Sequence, residues 1–95
     1  NSWRDCHLVP PNQIIQKHYL RLKTEDSPGV KGRIGNVFGV NGVSIQSIVQ
    51  FDANEVGAEI VVITHQVTQG QIETSLKAIK TLKEVKGLSS QMVCI

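Results

Sequence analysis

Tyr19-Leu20-Arg21-Leu22-Lys23-Thr24-Glu25-Asp26-Ser27-Pro28-Gly29-Val30 contains a change of period. Leu20 and Leu22 alternate with Arg21 and Lys23, the pattern of a half-buried strand. From Val30 onward the apolar residues fall at Val30, Ile34, Val37 and Phe38, which is helical spacing. The switch happens across Asp26-Ser27-Pro28-Gly29. Proline fits the first turn of a helix, where its missing N–H is not needed. Asp26 or Ser27 just before it can cap the orphan amides. A helix N-terminus with free N–H groups is an anion site, and a carboxylate beside it can hold an ammonium. Together these features suit a zwitterion, the form of a free amino acid at neutral pH.

The same logic carries outward along the chain. The spacing predicts a first helix over Pro28–Gly39, and Asn41-Gly42 then turns the chain. In Val43–Phe51 the residues Val43, Ile45, Val49 and Phe51 are expected on one face and Ser44, Gln46 and Gln50 on the other. Turn residues at Asp52-Ala53-Asn54-Glu55 predict a hairpin. The run Ala58–Thr64 is nearly continuous β-branched and apolar, as in a central strand. Thr68 and Gln71 have the form of a capping box. Ile72, Leu76, Ile79 and Leu82 behind it predict a second amphipathic helix. Gly87 is expected to end that unit, and Gln91–Ile95 to form the last strand. The order β-α-β-β-α-β with right-handed crossovers gives an α+β, ferredoxin-like sandwich: a four-stranded antiparallel sheet with both helices on one face. Ile48, Val61 and Ile63 are candidates for the uncovered face, which invites a partner.

Composition narrows the function classes. Ninety-five residues make one domain. The formal net charge is +2, and the basic residues are scattered, so no nucleic-acid stripe forms. Aromatics are 4 % of the chain and absent from Ala58–Thr64, which argues against an RNA-recognition module that stacks bases on its central strands. Cys6 and Cys94 make no disulfide framework, which favours a reduced, cytoplasmic setting. No run is long enough to span a membrane. Cys6-His7, His18, His65 and Cys94 match no structural zinc spacing, so no metal is expected. His65 is expected to face solvent or to cap. No paired acid–base group suggests a catalytic residue. Gly29, Gly32 and Gly35 follow a strand but lack the spacing of a dinucleotide fingerprint, so no cofactor is expected in this chain. Gly32, Gly35 and Gly39 lie together on a helix face opposite the apolar stripe. They are either tolerated surface glycines or a place where the backbone of a second copy comes close.

The strand through Gly29, the helix after it and Asn41–Gln50 resemble an ACT domain, a small module that senses amino acids and regulates metabolic enzymes. Gly42–Gln50 with Ala58–His65 most resembles the C-terminal ACT domain of homoserine dehydrogenase, an enzyme of threonine biosynthesis. The resemblance implies a linker over residues 1–16 and a regulatory domain over 17–95. It implies allosteric feedback by a free amino acid, L-threonine as pathway end product, with NAD or NADP used by a catalytic part elsewhere. It places the effector at Thr24, Asp26, Ser27, Pro28, Gly29 and Val30, with Ser44 supplied by a neighbouring copy. It also implies a homodimer or higher oligomer in which second strands and first helices meet at Gly32, Gly35, Gly39, Ile45 and Ile48. The other reading of the same features is a dimerisation module that binds no effector.

Overall fold

The structure, a computed structural model, describes residues 15–51 and 58–94. The elements run β1 (Ile15–Thr24), α1 (Val30–Val40), β2 (Ile45–Phe51), β3 (Ala58–Thr64), β4 (Val67–Thr68), α2 (Gln69–Ile79) and β5 (Val85–Cys94). β1 pairs antiparallel with β3 and with β5 over the same residues, so it lies between them, and β2 pairs with β3. The sheet order β2-β3-β1-β5 and two helices make the ferredoxin-like α+β fold. The two-residue β4 is an addition to the expected order. It pairs with Ile15 and Gln16 just after β3 ends.

The core forms where the strand and helix periods coincide. Leu20 and Leu22 of β1 and Ile60 and Val62 of β3 face Val30, Ile34 and Phe38 of α1 and Ile72, Leu76 and Ile79 of α2. Ile34, Phe38, Ile72 and Ile79 are wholly buried, and each such side chain contributes about 1.5–3 kcal/mol. α2 carries its expected N-terminus in full. The Thr68 side chain accepts from the Gln71 N–H at 3.1 Å, and the Gln71 side chain accepts from the Thr68 N–H at 3.3 Å. Gly42, at φ 78°, makes the expected turn after α1.

Two expectations fail for local reasons. The register slips between Ile45 and Ser47, leaving Gln46 as an extra residue. Ile45 stays opposite Thr64 on the helix side, but Ile48 now pairs with Val62 and packs against the core. Val49 and Phe51 therefore join Val61 and Ile63 on the uncovered face, and Ile48 does not. The last strand begins at Val85, not Gln91, and Gly87 lies inside it opposite Lys23. Register shifts at Ser89 and Lys86 let this weakly β-forming segment follow β1. The hairpin expected at 52–55 lies outside the described residues.

Candidate functional site

The β1–α1 loop differs from its expected form at the cap. α1 starts at Val30, not Pro28, and its N-cap is Gly29 in a left-handed conformation, φ 84° and ψ −4°. Pro28 followed by Gly29 at those angles fits the two central positions of a type II turn. That turn puts Asp26 and Ser27 outside the helix, and no side chain caps it. The first turn has no acidic residue but carries Lys31 and Arg33. Cations there are unfavourable for the helix dipole, whereas an anion would be stabilised.

Two hydroxyls of the segment joining β1 to α1 are buried without a partner among the described residues. Thr24, the last residue of β1, is 1 % exposed, and its hydroxyl has no hydrogen-bond partner among the described residues. The Ser27 hydroxyl is also buried without a partner. Buried polar atoms are usually paired, so two orphans in the segment that leads into an uncapped helix are a local departure. Asp26, Pro28 and Gly29 are exposed, while the Val30 side chain is in the core. Ser44 is exposed, and its carbonyl accepts from the His65 N–H at 2.8 Å. Within one chain it lies at the other end of α1, about 16 Å away for 11 residues. One protomer therefore does not bring Ser44 to the loop.

Two residues that the sequence reasoning missed complete the region. Arg33 forms an ion pair with Glu84, whose side chain is only 7 % exposed. The Glu84 carbonyl accepts from the Glu25 N–H at 2.7 Å, tying the loop to the start of β5. A Cβ placed at Gly29 would sit 3.8 Å from Arg33 Nη1, so the guanidinium stands at the loop. The only sequence signal was the oddity of a basic first turn.

The uncovered sheet face carries a different cluster. Arg21 Nη1 pairs with Glu59 at 3.1 Å, Nη2 donates to the Tyr19 hydroxyl at 3.0 Å, and the guanidinium lies 5.8 Å from the centre of the Phe51 ring. Ser89 donates to the Arg21 carbonyl at 3.0 Å and to Glu59 at 3.2 Å. These charges satisfy one another. Among the described residues His18 is the one fully buried histidine, and neither ring nitrogen has a partner there. Burial lowers its pKa below the ordinary 6.5. His65 is exposed, as expected. Among the described residues no three His, Cys, Asp or Glu side chains gather to hold a metal, and no helix is long and apolar enough to cross a membrane.

Gly32 and Gly35 lie inside α1 itself, and every strand pairing among the described residues is antiparallel. A dinucleotide fingerprint needs its glycines in the turn of a parallel βαβ unit, so this loop does not fit that cofactor. With that excluded, the family model for the ACT domain matches residues 18–84. The chain belongs to the ACT domain family. It is 39 % identical to a homoserine dehydrogenase of Synechocystis sp. over 90 % of this chain and 20 % of that protein. It is 32 % identical to the homoserine dehydrogenase of Neisseria gonorrhoeae over 79 % of this chain and 18 % of that protein. The chain thus spans about a fifth of the curated relatives it matches. Among solved structures it superposes on a homoserine dehydrogenase from Thiobacillus denitrificans with TM-score 0.79 and 24 % identity, over 94 % of this chain and 20 % of that one. At that identity the superposition supports the fold.

Proposed function

We propose that this ACT domain is the effector-binding regulatory part of a cytoplasmic homoserine dehydrogenase and that it senses L-threonine. Residues 1–16 act as the linker to a catalytic part that uses NAD or NADP, and 17–95 form the regulatory domain. The observation that carries the reading is the open N-terminus of α1, with unpaired Thr24 and Ser27 hydroxyls beside it. The effector's carboxylate lies at the first-turn amides, Asp26 holds its ammonium, and Ser44 of the partner subunit closes the site. The protein is a two-fold dimer in which edge strands β2 pair and α1 helices meet along Gly32, Gly35 and Gly39. In support, a Cβ at any of these three glycines would meet nothing within 4 Å of its own chain. Ile45 and Ile48 are half-buried on the same side of an edge strand.

A thermal-shift screen of the amino acids tests the reading. Threonine at a hundredfold excess over Kd should stabilise the native state by about 2.7 kcal/mol, which is several degrees in Tm for a domain this size. The empty space along the glycines also favours a second reading, a dimerisation module without effector. If no amino acid moves Tm at millimolar concentration, that reading replaces the first. In both, Gly35→Leu should shift sedimentation toward monomer while circular dichroism stays native. A wild-type chain that is monomeric at high concentration contradicts both.

A further inference from the structure

The Arg33–Glu84 pair has an asymmetry that bears on the same site. Arg33 is anchored to Glu84 through Nη2. Its other terminal nitrogen, Nη1, has no partner among the described residues and stands beside Gly29, at the uncapped end of α1. Glu84 is held in turn: its side chain is buried, and its backbone is bonded to Glu25 in the loop. A guanidinium has several donors in a rigid fork, so it can keep one carboxylate and bind another. The Arg33 guanidinium stands beside Gly29, the N-cap residue of a helix whose first-turn amides favour an anion. The buried Thr24 hydroxyl, in the segment that leads into α1, also has no partner among the described residues.

We infer that Arg33 binds the effector's carboxylate through Nη1, and that Glu84 is the positioning residue that aims it. This rests on the amino-acid reading of the β1–α1 loop and adds a residue to it. Arg33 makes the site selective for acids over their neutral amides. Because Glu84 precedes β5 directly, occupancy at Arg33 is felt at the start of that strand as well as in the loop.

Calorimetric titration of the 95-residue chain with L-threonine and with L-threoninamide tests this. Wild type should bind threonine about tenfold or more tighter than the amide, the range expected for losing a charge-assisted hydrogen bond. Arg33→Gln alone would leave Glu84 buried without its cation, so the informative variant is Arg33→Gln with Glu84→Gln. In it, threonine should lose about tenfold in affinity, keeping only the preference for the acid that the first-turn amides supply, while the amide's own affinity stays unchanged. Arg33→Lys keeps a cation for Glu84 but has no second terminal nitrogen, so its preference for the acid should fall by a similar factor. Glu84→Gln alone should lower threonine affinity a few-fold. If the double variant and Arg33→Lys both keep the wild-type preference, Arg33 only supports the fold, and the effector reading survives without it. If wild type binds neither compound, the effector reading fails and this inference fails with it.

Discussion

The two helices have the same length, 11 residues each, and their N-termini are built in opposite ways. α2 is closed by a reciprocal capping box between Thr68 and Gln71. α1 starts from a left-handed glycine with no side-chain cap, no acidic residue in its first turn and an arginine tied to a distant carboxylate. Both are held against the sheet by fully buried isoleucines, Ile34 and Ile72. Packing therefore secures both helices, and side-chain capping is supplied at only one of them. The closed end is scaffold, and the open end is where a ligand's charge can replace the missing cap.

The largest expected effect comes from the open end. Gly29→Ala forces a side chain into φ 84°, which costs about 1–2 kcal/mol. Urea denaturation should show the loss without a change in slope. A second break uses pH. Burial lowers the His18 pKa in the folded state, so below the ordinary value the unfolded chain binds the extra proton. Stability from this group is intact above about pH 6.5 and falls as pH drops, by at most about 1.4 kcal/mol per pH unit. His18→Leu should flatten that part of the stability profile between pH 7 and 5. At the closed end, Thr68→Ala should cost about 1 kcal/mol. Asp26→Ala should change stability by less than about 0.5 kcal/mol, the usual range for an exposed residue that caps nothing. A loss of about 1 kcal/mol at Asp26 would restore it as a cap and erase the contrast between the helices.

Much of this contrast was legible in the sequence, and what was not has physical causes. β1, β3, the Asn41-Gly42 turn and the α2 box depend on near neighbours, so residue type and spacing were enough. The phase of β2 was misread because a bulge at Gln46 changes which face the later residues take, and no residue there announces it. Val49 and Phe51 were grouped with Ile45 on one face for that reason. Gly87 was read as a stop, although a strand partner, β1, carries the chain straight through it. The cap was misplaced by two residues because Pro28-Gly29 makes a turn of its own before the helix. The loop itself was found, but Arg33 and Glu84 were not, since their pairing depends on how distant segments come together. His18 reads as a polar strand residue until the fold buries it.

The central claim is that α1 is left open for a ligand while α2 is complete without one. Amide hydrogen exchange, followed by NMR with and without L-threonine, tests it at the residues concerned. The account predicts that the Val30, Lys31 and Gly32 amides exchange fast in the free protein and become protected when threonine is added, while the Gln71 amide is slow in both. First-turn amides of α1 that are already protected without ligand, or that threonine leaves unchanged, would contradict it.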